Sequence, residues 1–365
     1  MRLGVAAALV GEALVPGDVE IVDGAVTGYG LASPNGRGIA APGFVDLQVN
    51  GFAGIDFLDT DGGGYTTAGA ALLETGVTAY LPTFITSSEA RLVEALRQVP
   101  TISEPGPRVL GVHLEGPFLS AARLGTHPAE GRRDPDVDLA ARLLAAGQVA
   151  LMTLAPELPG ADALVSFLRD RGVVVSCGHT NATAAEAGAA FDQGVHTVTH
   201  LFNAMRPLTH RDPGIVGAAL ARPDVIVQII VDGVHLAPEI VQLVWRAAPG
   251  RVALVTDAIA AAGIGDGVFM LGTVEVEVQD AVARQVGDAM LAGSVLTMID
   301  AVRNFHALGV PLEQALDAAS GVPARILGSE TLGRIEIGAP ADILILDDGL
   351  QIERVLVRGE THVAA

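Results

Sequence analysis

A chain of 365 residues that is half apolar and only 18% charged can bury a large core, which excludes an intrinsically disordered protein. Its net charge of −20 excludes nucleic acid and anionic membranes as general partners, and a small anionic ligand would need a locally basic pocket. The single cysteine, Cys177, leaves no internal disulfide and fits a reducing, cytoplasmic setting.

Met1 to Val10 holds one arginine and a short apolar run, as a weak leader would. Ala13-Leu14-Val15 and Val19-Glu20-Ile21-Val22 follow directly in strand fashion, so an amino-terminal sheet is the expectation. No apolar run approaches a membrane span in length. Residues 1–41 read as short strands turning at Pro16-Gly17, Asp23-Gly24 and Ser33-Pro34-Asn35-Gly36.

From Pro42 the pattern changes to β-rich runs alternating with alanine-rich, helix-spaced segments. The runs are Gly43–Val45, Thr78–Leu81, Val109–Val112, Val149–Met152, Val173–Val175, His196–Val198, Val225–Ile230 and Val252–Val255. Between them lie helical candidates at Ala68–Gly76, Glu89–Val99, Leu139–Ala146, Ala161–Arg171, Ala182–Gln193 and Pro238–Arg246. A spacing of about 30 residues per run is that of one βα unit, and eight such units predict a (β/α)8 TIM-type barrel. Within it Cys177 reads as a small buried residue. Val268–Val286 reads as an inserted hairpin, followed by helices at 296–308 and 311–327 with Pro311 at a helix start. The tail returns to strands at Leu332–Gly338, Asp342–Leu346 and Ile352–Val357. Neither end can build a core alone. Residues 1–41 and 330–365 are therefore expected to pair as a small β-sandwich domain beside a catalytic barrel at 42–329.

Such a barrel presents its chemistry at the carboxyl ends of its strands. Asp46, Gln48 and Asn50 fall after the first strand and Glu115 after the third. His179 follows the fifth, His200 the sixth, Asp232 and His235 the seventh, and Asp257 the eighth. Two imidazoles and a carboxylate with one position left open suit a catalytic divalent ion. The run Thr199 to Asp212 gathers His200, Asn203, Arg206, His210 and Arg211 just past a strand, a density that core packing does not produce. His113 shares strand parity with Glu115 and reads as a packed core histidine. His196, His306 and His362 read as surface or structural residues, and Arg206 and His210 as solvated loop residues. Asp46 and Asp232 are candidates for orienting other site residues.

Several blocks then resemble one family. They are Pro42-Gly43-Phe44-Val45-Asp46-Leu47-Gln48-Val49-Asn50-Gly51, His113-Leu114-Glu115-Gly116-Pro117, Gly178-His179-Thr180, His200-Leu201-Phe202-Asn203-Ala204-Met205, Asp232-Gly233-Val234-His235, Val255-Thr256-Asp257-Ala258 and Leu291-Ala292-Gly293-Ser294. Together they resemble the N-acetylglucosamine-6-phosphate deacetylases of the amidohydrolase superfamily, across nearly the whole chain. The resemblance implies that Glu115, His179 and His200 bind one divalent metal ion, zinc ahead of Fe2+, Mn2+ or Co2+. It implies that Asp257 transfers protons, that Thr126 and His127 reach the substrate, and that Asn203, Ala204, Arg211 and His235 hold sugar and phosphate. Leu291, Ala292 and Gly293 would line the pocket. It implies a homodimer, with part of the phosphate grip from the neighbouring subunit.

Two departures stand out. Many amidohydrolases carry His-x-His after the first strand; here Gln48-x-Asn50 offers amides, poor ligands for a transition ion, so a single tightly held metal is expected. Arg206 adds a cation directly after the His-Leu-Phe-Asn-Ala-Met block. The alternatives to this deacetylase are an enzyme for the galactosamine epimer, a cyclic-amide hydrolase, and a silent homologue acting as a binding protein. The silent reading sits poorly with a complete set of Glu115, His179, His200 and Asp257.

Overall fold

The computed structural model describes residues 1–100 and 106–363. Its centre is a parallel barrel of eight strands: β1 Phe44–Val49, β2 Val77–Ile85, β3 Val112–Glu115, β4 Val149–Leu154, β5 Val174–Cys177, β6 Thr197–Val198, β7 Ile226–Ile229 and β8 Val252–Leu254. Each pairs in parallel with the next. Helices cover the outside and side chains fill the inside, so β1 and β2 are buried along their whole length. That double burial is why the strands read as continuous apolar runs rather than alternating ones.

The seam between β8 and β1 is closed at its carboxyl end by residues just beyond β8. Asp257 N–H donates to the Gln48 carbonyl (2.9 Å), and Asn50 N–H donates to the Ala258 carbonyl (2.8 Å). Below them the buried Asp46 carboxylate accepts from the Thr256 hydroxyl at 2.6 Å. Burial pushes the Asp46 pKa up to about 7 against these hydrogen bonds. Asp46 thus ties the first strand to the last and touches no metal-ligand candidate directly.

His113 occupies the barrel interior one layer below Glu115. Its Nδ1–H donates to the Leu47 carbonyl (3.1 Å), so Nε2 accepts from Thr153 Oγ1 at 2.7 Å. Thr153 accepts in turn from Thr199, and Thr199 from Ser176. This one-way chain satisfies every hydroxyl in it. Burial holds the imidazole pKa down to about 4, so the ring stays neutral. His113 is a core histidine, as its parity predicts.

Several elements depart from the pattern-based expectation. The first barrel helix starts at Gly62 rather than Ala68, because Asp61 accepts from the Gly63 and Gly64 amides and caps a glycine-rich turn. A helix at Gly214–Ala221 was not expected, since it is apolar on every side and shows no 3.6-residue stripe. The expected third strand, Val109–Val112, breaks at Gly111 (φ +113°): Arg108–Val109 pairs beside β2, and β3 starts at Val112. The insertion after β8 is three antiparallel strands, Gly267–Leu271, Val274–Gln279 and Val282–Gln285, rather than a hairpin. The expected helix at 311–327 is two, Leu312–Ala318 and Gly321–Ile326.

Both ends of the chain meet in one six-stranded sheet, ordered Ala13–Pro16, Ala7–Val10, Ile39–Pro42, Ile343–Leu346, Ile352–Val357, Glu360–Val363. The hairpin Asp18–Val22/Ala25–Leu31 turns at Asp23-Gly24, both at positive φ, and packs on this sheet through Val5, Val19, Ile21, Ile343 and Leu356. Leu332–Gly338 forms no strand. Gly333 lies so close to the Ser320 carbonyl that any Cβ there would collide with it, and the segment runs as a link with Ile335 buried in the small core. Among the described residues no helix is long and apolar enough to cross a membrane.

Candidate active site

The carboxyl ends of β3, β5, β6 and β8 deliver Glu115, His179, His200 and Asp257 to one cavity of about 560 Å³. His179 (φ +47°), His200 (φ +30°) and Asp257 (φ +49°) all sit in the left-handed region. Each leaves its strand by a sharp turn there, at a cost on the order of 1–3 kcal/mol that the surrounding packing must offset. Backbone strain at three of the four positions marks this rim as built for chemistry rather than for stability.

Glu115 Oε1 stands 3.0 Å from His179 Nε2 and 2.8 Å from His200 Nε2, and the two ring nitrogens are 3.1 Å apart. Three donors held about 2.0–2.2 Å from a common tetrahedral ion would stand about 3.3 Å apart, close to this triangle. His179 Nδ1–H donates to the Arg123 carbonyl at 3.0 Å, which leaves the Nε2 lone pair facing the cluster. His200 Nδ1 is buried without a partner. All three residues are buried, and among the described residues they are the group of His, Cys, Asp or Glu able to hold a metal. Burial alone would raise the Glu115 pKa. The surrounding imidazoles of His127, His179 and His200 override it and hold the carboxyl well below the usual range. The donor set fits a divalent transition ion.

Gln48 Nε2 donates to Glu115 Oε1 and to Asp257 Oδ1, each at 3.0 Å, and Asn50 Nδ2 donates to Asp257 Oδ1 at 2.7 Å. The two amides therefore present N–H groups to two neighbouring carboxylates, where a second cation would otherwise balance the charge. Burial, then the Glu115 charge, pushes the Asp257 pKa up to about 6, with His200, His235 and Asn50 acting against them. Asp257 stands beside the Glu115–His179–His200 group and is not part of it.

The tautomer of His127 follows from its neighbours. Its Nδ1 accepts from the Thr86 backbone N–H (3.2 Å), while the Thr86 hydroxyl donates to the Glu115 carbonyl. The proton therefore sits on Nε2, which faces the site 3.5 Å from Glu115 Oε2. Burial, with the His179 charge next, holds the His127 pKa down to about 4, so the ring is a neutral donor. His235 is oriented by Asp232, whose Oδ2 lies 2.6 Å from its Nδ1. Asp232 thus serves His235.

Thr126, His127, Asn203, Ala204, His235, Leu291 and Gly293 all line the cavity, together with Asn50. Ala292 is fully buried behind the lining. Arg211 is exposed and lies outside the lining residues, and the guanidinium on the cavity wall is that of Arg123. Arg206 is paired with Asp212 at 2.5 Å, which cancels the extra charge after the His200 block. Leu271 and Met290, contributed by the inserted strands and the loop after them, complete the wall. Arg123 is the functional candidate that residue patterns did not single out, and Gln48 was singled out only as a poor metal ligand, not as a donor to Glu115 and Asp257. The only signal for Arg123 was its position two residues before Gly125-Thr126-His127.

Residues 39–362 match the amidohydrolase family model. The chain belongs to the amidohydrolase family. This amidohydrolase is 40% identical to the human N-acetylglucosamine-6-phosphate deacetylase over 342 residues, covering 89% of this chain and 83% of that one. An Escherichia coli N-acetylgalactosamine-6-phosphate deacetylase is 35% identical over 329 residues, covering 88% and 87%. Among solved structures, an N-acetyl-D-glucosamine-6-phosphate deacetylase mutant from Mycobacterium smegmatis, in complex with N-acetyl-D-glucosamine-6-phosphate, superposes with a TM-score of 0.94 at 37% identity, covering 99% of this amidohydrolase and 98% of that chain.

Proposed function

We propose that this amidohydrolase hydrolyses N-acetyl-D-glucosamine 6-phosphate to glucosamine 6-phosphate and acetate. The observation that carries the reading is the convergence of Glu115, His179 and His200 on one point, with Asp257 and the Nε2–H of His127 facing the same cavity. Glu115, His179 and His200 would hold one divalent ion, zinc ahead of iron, manganese or cobalt. When bound, the ion supplies a water whose pKa is lowered from about 15.7 towards about 7.

Asp257 accepts that water's proton as its oxygen bonds to the acetyl carbon. The neutral His127 donates its Nε2–H to the carbonyl oxygen as negative charge develops there. Asp257 then returns the proton to the sugar nitrogen as the C–N bond breaks, because an unprotonated amine leaves badly. Gln48 and Asn50 hold Asp257 in place through both transfers. Asn203, Ala204 and His235 are assigned to the sugar phosphate, with Thr126, Leu291 and Gly293 shaping the wall and Ala292 supporting it.

Two further parts of the reading concern setting. We propose a homodimer, with the exposed Arg211 serving the neighbouring subunit. A lone buried cysteine, whose pKa burial pushes up, supports a cytoplasmic location. The galactosamine epimer is the second reading, favoured by the 35% identity to a deacetylase of that substrate.

Initial rates on both N-acetylhexosamine 6-phosphates and on unphosphorylated N-acetylglucosamine test the substrate assignment. The glucosamine phosphate should have the highest kcat/KM. A higher value for the galactosamine epimer would select the second reading, and equal rates with and without phosphate would overturn the phosphate assignment. Replacing His127 with Gln should lower kcat by about 10²–10³, the usual effect of removing an oxyanion donor, with little change in KM or metal content.

A further inference from the structure

We infer that Arg123 is the in-chain anchor for the substrate's phosphate and the residue that sets the preference for phosphorylated substrate. The assignment rests on the proposed deacetylase reaction and adds a residue to it. Among the residues lining the cavity, Arg123 is the one lysine or arginine, facing Glu115 and Asp257 in a molecule of net charge −20. An anion entering that field needs a fixed positive group, and a guanidinium is charged at any working pH.

Arg123 is also prepared for such a ligand. Its Nε donates to Asn181 Oδ1 at 3.1 Å, which orients the guanidinium plane, while its two terminal amino groups have no hydrogen-bond acceptor among the described residues. The arginines at 91, 132, 142, 206 and 222, by contrast, are each paired with a carboxylate. Two free, parallel N–H groups match two oxygens of a phosphate monoester.

Asn181 ties the guanidinium to the chain segment that carries Ala204, since Arg206 donates to the Asn181 carbonyl and Thr180 N–H donates to the Ala204 carbonyl, and Arg123, Asn203 and Ala204 line the same cavity. The same turn reaches the metal candidates. Ser120 N–H donates to the His179 carbonyl, and His179 Nδ1–H donates to the Arg123 carbonyl. One loop thereby spans both ends of the cavity, and the backbone half of that link survives replacement of the arginine side chain.

The test is the ratio of kcat/KM for N-acetylglucosamine 6-phosphate to that for N-acetylglucosamine, in wild type, Arg123→Ala, Arg123→Lys and Arg211→Ala, each with its metal content measured. In Arg123→Ala the ratio should fall about a hundredfold, mostly through KM, and the affinity for glucosamine 6-phosphate measured by calorimetry should fall in step. Arg123→Lys should recover part of it, since a point charge remains but the fork is lost. A wild type that discriminates alongside an Arg123→Ala that discriminates equally would overturn this assignment alone, and collapse only in Arg211→Ala would move it to Arg211. A wild type without discrimination would overturn the phosphate reading itself.

Discussion

Asp257→Asn should lower kcat by about 10³–10⁴ while the protein keeps its fold and its metal. The magnitude is that of losing a positioned acid–base group used in two successive proton transfers. The substitution is shape-conserving, because Oδ1 still accepts from Gln48 and Asn50, which today hold it at 3.0 and 2.7 Å. Only the ability to take and return a proton disappears. The pH dependence carries the same information. A base works when deprotonated, so the wild-type rate should climb with pH through the Asp257 pKa, which lies at about 6 before a cation is bound. A nearby divalent cation favours the charged carboxylate and shifts that limb to lower pH. Steady-state rates between pH 4 and 8 should show an acidic limb at or below about pH 6 that the asparagine variant lacks. Residual activity within tenfold of wild type would rule out Asp257 as the proton carrier.

Glu115→Gln should abolish retention of the metal. The Glu115 carboxylate sits within 3.0 Å of both imidazole Nε2 atoms and supplies the only negative charge in the trio. Without it, two neutral imidazoles and an amide face the ion, a weak set for any transition metal. Changes merely behind a ligand cost about 10–100-fold in affinity, so a lost ligand charge should cost more. Elemental analysis after dialysis should find near-stoichiometric metal in wild type and little in the variant, with activity falling in proportion. Adding zinc to chelator-stripped wild type should raise its melting temperature, since ligand at a hundred times its dissociation constant stabilises the fold by about 2.7 kcal/mol. The variant should show no such rise at the same concentration. Full metal content in the variant would mean that the ion lies elsewhere.

Glu115, His179, His200 and Asp257 were legible in the sequence because a parallel barrel fixes where chemistry can stand, and each follows a β-rich run directly. Their convergence could be expected from fold class alone, without knowing any distance. The role of Gln48 could not. An amide in place of a histidine reads as a missing ligand, and only the coordinates reveal that its N–H group bridges two carboxylates. Arg123 was passed over, and Arg211 could not be placed relative to its own cavity, for a related reason. Both stand in loops, whose side-chain directions follow from no period, so only the structure separates the arginine on the cavity wall from the one facing solvent. The Gly214–Ala221 helix and the third inserted strand escaped because uniform hydrophobicity and tight turns erase the alternation that pattern reading depends on. The Leu332–Gly338 segment erred the other way: it alternates like a strand, yet Gly333 is needed for a close backbone approach.

The terminal sheet has a consequence for how the molecule is made. Ile39–Pro42, which leads directly into β1, is held on one side by Ile343–Leu346. The first barrel strand, and with it Gln48 and Asn50, is therefore clamped by a stretch translated long after it. During vectorial synthesis the early half can collapse and form helices, but its opening strand waits for a mate more than 300 residues away. Competence for turnover should accordingly arrive abruptly, once Ile343–Leu346 has emerged, rather than growing as each βα unit appears.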